Sequence, residues 1–256
     1  MRSVFLSGVR EQRRAFLGCG AGIVLAVLLE CALWPTIRTM PDLNQLLAGY
    51  PESIRRLFDL QEFGSGTGFA NAELFRALIP VLLLAFAISR GARSVAAGEQ
   101  PGRPLTTGLV LVRAAALLVT LVALGAVLFL SVLAGSALFG LGIGLGGLGA
   151  ATTVTVALAF EFGCLALAAG ALTGRRRPAV RIATTCAGAT YLLYAAGQVV
   201  DSLHPWQPLS PFEQMMGDGP LGGGFHTAQL ALPLSALVFL VSALPVLAHR
   251  RVGVAH

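Results

Sequence analysis

Five charged side chains in one polar segment, residues 89–113, have the types and spacing to bind another protein. The segment reads SRGARSVAAGEQPGRPLTTGLVLVR and separates two long apolar runs. Pro101, Gly102 and Pro104 together exclude a continuous membrane span through it. Arginine-rich loops between spans stay in the cytoplasm, so we expect a short cytoplasmic helix that docks on a partner protein. The charged residues of this segment are Arg90, Arg93, Glu99, Arg103 and Arg113.

Two carboxylates, Glu30 and Glu161, lie inside apolar runs. A charge at the middle of a membrane span costs about 2.5–3.5 kcal/mol on insertion scales, so such residues either act in ion transport or hold helices together. The face of Glu161 is rich in small residues at helical spacing, which is typical of helix packing. We therefore predict that Glu161 points into a helix bundle and meets a polar side chain of residues 182–200. The candidates are Thr184, Thr185 and Gln198.

Sequence motifs of common enzyme sites are absent from the chain. All 18 basic residues are arginine, so there is no Walker A lysine and the chain cannot itself be a P-loop ATPase. HExxH and GxSxG motifs are also missing. We therefore expect no catalytic, metal-binding or cofactor-binding residue in this chain. The cysteines have neither disulfide nor metal spacing, and we expect packing roles for Cys19, Cys31, Cys164 and Cys186.

The composition indicates an all-α integral membrane protein. Hydrophobic residues make up 55% of the 256 residues and charged residues 12%, whereas soluble domains have about 25% charged residues. The apolar segments have the lengths of membrane-spanning helices. We expect a single transmembrane domain over residues 1–256. Its six spans would be roughly 16–34, 74–92, 109–134, 149–172, 182–200 and 227–248.

The distribution of arginine predicts the orientation of these spans. Cytoplasmic loops carry an excess of basic residues. With six spans, all but four of the 18 arginines fall on one side of the membrane, together with both termini. We therefore expect cytoplasmic termini, and we attribute the net charge of +6 to orientation and not to nucleic-acid binding. The four arginines expected outside are Arg38, Arg55, Arg56 and Arg76.

The polar segments outside the spans carry weaker signals. Residues 1–15 fit either a short interfacial helix or a disordered basic tail. The first outer loop predicts two short amphipathic helices, near 41–50 and 51–60, and a flexible glycine-rich linker at 63–69. The glycines of 135–148 include a GxGxxG-like pattern. Because no strand pattern or acid accompanies them, they favour a tight outer turn or close helix packing.

Three segments occur in an order typical of one family of membrane proteins. The first, RRAFLGCGAGIVLAVLLECALWPTI, has an arginine pair, a span and then Trp-Pro. The second, ALIPVLLLAFAISRGARSVAAGEQPGRPLTTGLVLVR, has a span followed by a loop similar to R-x-x-A-G-E-x-x-x-G. Its matching residues are Arg93, Ala97, Gly98, Glu99 and, at a shifted spacing, Gly102. The third is PWQPLSPFEQMMGDGP. Together these segments resemble the membrane permeases of ABC transporters of the six-span exporter class, the type 2 ABC exporter family.

The resemblance implies a permease subunit of an ATP-driven exporter in the bacterial inner membrane. Two permease copies, or this chain and a related one, would form the pathway in the bilayer. Two cytoplasmic ABC ATPase subunits would bind ATP and magnesium, and the 89–113 loop would lie in a groove of the ATPase. Arg93, Glu99 and Arg103 would be the charge partners there, unless these charges only set the topology. The family usually has Gly-Thr-Leu where this chain has Gly102, Arg103 and Pro104, so the register of the coupling helix stays open.

Few polar residues occur in the spans, which favours a lipophilic substrate such as a drug, an antibiotic or a lipid. The main alternative is a secondary transporter that uses Glu30 and Glu161 as ion sites. An ABC importer permease is disfavoured because its longer coupling motif is not matched. A membrane enzyme has little support. His204 and His226 share an outer loop, but surface histidines are more common than histidine ligands.

Overall fold

The computed structural model describes residues 2–40, 49–57, 62–96, 107–217 and 219–252, and most of them are helical. None of these residues forms a β-strand, which confirms the all-α class. A π-helical segment covers Asn71–Leu78, and 3-10 helices cover Asp201–Leu209 and Thr227–Leu230. The α-helices are α1 (Arg2–Ile37), α2 (Glu52–Leu57), α3 (Gly66–Ala70), α4 (Ile79–Ala96), α5 (Thr107–Phe139), α6 (Leu145–Thr173), α7 (Arg176–Val199), α8 (Pro211–Met216), α9 (Pro220–Gly223) and α10 (Ala231–Val252).

Four helical stretches are long and apolar enough to cross a membrane, and they coincide with the first four predicted spans. The fifth predicted span corresponds to α7, whose arginines, threonines and glutamine lower its hydropathy. The sixth predicted span falls on a shorter apolar helical stretch, Thr227–Ser242. The described part of the chain therefore has four candidate spans, and the number of six stays a prediction. The four stretches are Arg14–Ile37, Gly66–Arg93, Gly108–Phe139 and Leu145–Thr173.

Helix α6 is the centre of the bundle. It packs against α4, α5, α7 and α10, whereas α1 packs mainly on α5 at the periphery. Helices α4 and α6 cross at Gly91 and Gly163, where a Cβ on Gly91 would overlap the carbonyl oxygen of Gly163. Lipid provides no hydrophobic force between helices, so small residues that let two backbones approach stabilise such a crossing. The sequence of α6 provides many of them, since it is rich in alanine and glycine.

The glycine-rich stretch 63–69 is a packed helix start, so the prediction of a flexible linker is wrong. The Ser65 hydroxyl caps α3 by accepting a hydrogen bond from the Gly68 amide at 2.9 Å. A Cβ on Gly66 would overlap the backbone of Leu141, and a Cβ on Gly68 would overlap the backbone of Glu62. These glycines are required because another backbone lies against them, and composition alone does not distinguish this contact from a loop.

The glycines of 135–148 form the turn between α5 and α6 that the sequence predicts. Gly140 and Gly142 have φ values of 69° and 70°, a left-handed conformation that glycine adopts without steric cost. The Ser136 hydroxyl accepts a hydrogen bond from the Ile143 amide at 3.1 Å and closes the turn. Close packing is present as well, because a Cβ on Gly147 would overlap the Leu221 carbonyl oxygen.

The N-terminal prediction is corrected, because α1 runs without interruption from Arg2 to Ile37. Residues 2–15 are therefore neither a separate interfacial helix nor a disordered tail. No proline occurs before Pro35, so nothing breaks the helical hydrogen bonds. Of the two short helices predicted in the first outer loop, α2 matches the second, at 51–60. Most of the first, at 41–50, lies outside the described residues.

Candidate functional site

A groove of about 670 Å³ runs between α4 and α7. Along α4, lining positions recur at spacings of three or four residues, as expected for one face of a helix. On α7 the facing side is small, and a Cβ on Gly188 would meet no atom within 4 Å. Between Arg176 and Tyr191 the lining side chains of α7 are small or of medium size, and they leave the groove open against Leu84 and Ile88 of α4. The lining residues are Arg76, Ala77, Pro80, Val81, Leu84, Ala85, Ile88, Ser89, Arg176, Val180, Thr184, Ala187, Gly188, Tyr191, Phe212 and Met216.

Arg76 closes one end of this groove. Its guanidinium group donates hydrogen bonds to the Tyr194 hydroxyl at 2.6 Å, to the Leu57 carbonyl at 3.3 Å and to the Met216 carbonyl at 3.1 Å. Tyr194 is only 1% exposed, so this charge-assisted bond satisfies a buried hydroxyl group. Arg76 thus ties α2, α7 and α8 to the π-helical segment, and the sequence, which assigned it only to the outer side, did not predict this role.

The polar segment between α7 and α8 is anchored over the same end. The Gln207 amide donates a hydrogen bond to the Tyr194 carbonyl at 3.0 Å, and the Ser210 hydroxyl donates one to the Thr190 carbonyl at 2.8 Å. Phe212 packs edge-on against Tyr191, with ring centroids 5.3 Å apart. We call this part of the molecule the loop end, defined by the turn at 140–144 and by residues 201–217.

The opposite end of the groove is lined by Ser89 of α4 and Arg176 of α7. Helix α4 runs away from Arg76, whereas α7 runs towards Tyr194, the residue bonded to Arg76. The end of α4 at Ser89 and the start of α7 at Arg176 therefore lie together. Arg93 follows one turn after Ser89 and is exposed. We call this the arginine end, defined by Ser89, Arg93 and Arg175–Arg177. The arginine-rich segments at 89–113 and 174–181 therefore begin at the same end of the bundle, as the orientation analysis expects.

Glu161 faces the interior of the bundle, as predicted, and is 3% exposed. Its partner was predicted wrongly, because its carboxyl group hydrogen-bonds to Ser235 of α10. Of the predicted partners on α7, Thr184 and Thr185 are exposed and Gln198 lies in the last turn of the helix. The reason is that the face of α6 that carries Glu161 packs against α10, whereas a different face of α6 packs against α7. Among the described residues, no group hydrogen-bonds to Oε2 of Glu161.

Glu30 is half-buried in α1 and lies near a second carboxylate that the sequence analysis did not select. Glu73, in the π-helical segment, is close enough for the charge of Glu30 to act on it. The two carboxylates therefore lie near each other, where α1 approaches the start of the second candidate span. A signal existed in the sequence, since Glu73 and Arg76 flank the apolar run, but linear spacing did not place them in contact with other helices.

The predicted coupling residues are described only in part. Arg93 lies in the last turn of α4 and is exposed. Glu99 and Arg103 lie outside the described residues. Their proposed contact with an ATPase therefore stays a prediction.

Comparisons of the chain with protein-family models, with curated proteins and with solved structures found no match. The sequence and the geometry of the groove, the arginine end and Glu161 are therefore the evidence on function.

Proposed function

We propose that this chain is the transmembrane permease subunit of an ATP-driven ABC exporter in the bacterial inner membrane. It would cross the bilayer six times, with α7 and α10 as the fifth and sixth spans and both termini in the cytoplasm. Two copies, or this chain and a related permease, would form the pathway. A separate cytoplasmic ATPase would bind ATP and magnesium and act on the bundle through the 89–113 loop.

The observation that carries this proposal is that the two arginine-rich segments begin at the same end of the bundle. Ser89 and Arg176 line the same end of the groove, while residues 201–217 pack at the loop end. Basic residues concentrate on the cytoplasmic side of membrane proteins. A charged loop at that end, between two rigid helices, is suited to transmit a rigid-body movement of a bound partner into the bilayer.

The groove favours a lipophilic substrate. Its floor is made mainly of aliphatic and aromatic side chains, and its polar groups are concentrated towards the two ends. A pathway for a sugar would instead require hydrogen-bonding groups along its length, because an unpaired hydroxyl group in an apolar site costs roughly 1–3 kcal/mol.

The topology is tested by labelling single cysteines in a background without the four native cysteines. Arg177 and His204 are exposed at opposite ends of α7, so Arg177→Cys and His204→Cys should both be accessible. In intact cells an impermeant maleimide should label only His204→Cys, and after permeabilisation it should label both. Labelling of both variants, or of Arg177→Cys alone, in intact cells would refute the six-span orientation.

The coupling contact is tested through Glu99, the one acid among the arginines of the 89–113 loop. The tagged chain, purified in mild detergent, should carry an ABC ATPase with it, and Glu99→Ala should reduce that association at least about tenfold, as expected for loss of a charged contact. Glu62→Ala is the matched control, since Glu62 is exposed near the loop end. Copurification of no ATPase, or equal ATPase recovery with Glu99→Ala, would contradict the coupling proposal.

A second candidate function, ion-coupled secondary transport, is favoured by one specific observation. Glu161 is buried, and its Oε2 atom has no hydrogen-bond partner among the described residues. Ionisable groups of this kind are typical of ion pathways. Glu161→Gln keeps the hydrogen-bonding shape but removes the ionisable proton. If this variant folds normally and abolishes transport, the secondary transporter gains support, whereas normal transport favours a structural role.

A further inference from the structure

The arginines at the two ends of the groove between α4 and α7 differ in their hydrogen bonding. At the loop end, three groups of the protein accept hydrogen bonds from Arg76. At the arginine end, Arg176 is exposed and makes no hydrogen bond or ion pair to any residue that the structure describes. Among the described residues, no group therefore competes with a ligand for this cation at the mouth of the groove.

The surroundings of Arg176 strengthen this positive charge. Arg175, Arg177 and Arg181 are also exposed, and the first turn of α7 contains no acid. No side chain caps the start of α7, so the amides of Arg176 and Arg177 have no acceptor within the helix, and the positive end of the helix dipole lies at this site. A phosphate group fits this arrangement, because arginine binds it through two parallel hydrogen bonds and the positive end of a helix dipole stabilises its negative charge.

From this charged mouth the groove continues as an apolar channel towards the loop end. Val180, Ala187 and Gly188 of α7 face Leu84 and Ile88 of α4 along it. The distance from Arg176 to Tyr191 along α7 is about 22 Å at the helical rise. The hydrocarbon thickness of one leaflet is about 15 Å, so the groove is long enough for an acyl chain that begins at the headgroup level.

We propose that the arginine end of the groove binds an anionic phospholipid of the inner leaflet, with its phosphate at Arg176 and one acyl chain along the channel between α4 and α7. The occupant is a lipid and not a free phosphate, because the apolar channel begins directly at the positively charged mouth and a free phosphate would leave that channel empty. Basic pockets between transmembrane helices on the cytoplasmic side bind anionic headgroups in this way. The inference rests on the proposed function in one respect, the placement of α7 as a span with Arg176 on the cytoplasmic side.

Binding is measured on the purified full-length chain in detergent by native mass spectrometry, with phosphatidylglycerol and phosphatidylcholine as probes. The wild type should retain phosphatidylglycerol in preference to phosphatidylcholine. Arg176→Gln should weaken phosphatidylglycerol binding about 30-fold, which corresponds to about 2 kcal/mol for the loss of a charge-assisted pair. Arg181→Gln is the matched control, since Arg181 is an exposed arginine of the same helix outside the groove. Its loss should be at most about fivefold, the effect of one surface charge.

A second pair of variants tests the acyl channel. Gly188→Phe fills the channel without a backbone clash and should abolish phosphatidylglycerol retention, whereas Ala189→Phe, at an exposed neighbouring position outside the groove, should not. All four variants alter exposed positions, and unchanged thermal unfolding midpoints would show that they fold.

Four results would overturn the lipid site. Equal losses from Arg176→Gln and Arg181→Gln would indicate diffuse surface charge. Equally tight binding of glycerol phosphate would indicate a soluble phosphate site, and retention by Gly188→Phe would exclude the channel. A wild-type dimer without bound lipid, which Gly188→Phe converts to a monomer, would assign the groove to a second copy. The assay contains no ATPase, so its failure is distinct from a failure of the coupling experiment.

Discussion

Helices α1 and α6 are both long and apolar, yet they occupy opposite places in the bundle. In the most apolar part of α6, 83% of the residues are buried, against 22% in α1. The exposed side of α1 consists largely of leucines, including Leu17, Leu25, Leu29 and Leu33. The buried positions of α6 are mostly alanine, glycine and threonine, with larger side chains between them. Because lipid tails are as apolar as leucine, side-chain size and shape decide which helix becomes central.

The same contrast separates the two carboxylates within these helices. Glu161 in α6 is 3% exposed and is hydrogen-bonded to Ser235 of a neighbouring helix. Glu30 in α1 is half-buried and lies near Glu73. Both acids interrupt an apolar run, but of the two only Glu161, in the central helix, is enclosed by neighbouring helices.

The largest expected effect comes from enlarging a glycine at the crossing of the central helix. Gly91→Val should lower the free energy of unfolding by about 3 kcal/mol or more, because the new Cβ would overlap a backbone oxygen that cannot move aside. Gly18→Val in α1 should change it by less than about 0.5 kcal/mol, since no atom lies within 4 Å of the added Cβ. Denaturant unfolding in mixed micelles measures both. Similar losses would mean that α6 is not the packing centre.

A smaller effect is expected when a leucine is truncated in each helix. Leu158 in α6 is fully buried, and Leu158→Ala should cost about 2 kcal/mol, at the low end for such cavities because the transfer from lipid contributes little. Leu25 in α1 is 70% exposed, and Leu25→Ala should be nearly neutral. Thermal unfolding in detergent tests this pair. An equal shift in both variants would show that α1 is covered by protein.

The smallest effect is expected at the two acids. Glu161→Leu removes the bond to Ser235 and should lower the free energy of unfolding by about 1 kcal/mol, the scale of hydrogen bonds between membrane helices. Glu161→Gln should retain most of that stability, and Glu30→Leu should lose none. Unfolding midpoints of the three variants provide the comparison. A loss in Glu30→Leu as large as in Glu161→Leu would remove the distinction between the two helices.

The sequence allowed the helical class and the four candidate spans to be predicted because hydropathy and length are local properties of the chain. The turn of 135–148 was also predictable, since glycines without strand or acid patterns favour it. The error at 63–69 has a different origin. Gly66 and Gly68 are required by neighbouring backbone atoms, and no property of a linear segment contains that information.

The interior position of Glu161 followed from its neighbours along the helix, but its partner did not. The small residues around it indicate a packing face, whereas the choice of Ser235 over Thr184 depends on which helix covers that face. The groove shows the same limit, because it forms only when residues far apart in the chain, Ser89 and Arg176, are brought to one end of the bundle. The amino-acid sequence alone determined that this chain forms apolar helices with an arginine-rich side. Only the tertiary structure decided which helix lies at the centre and which side chains meet, because in lipid those choices depend on the fit between helices and not on their hydrophobicity.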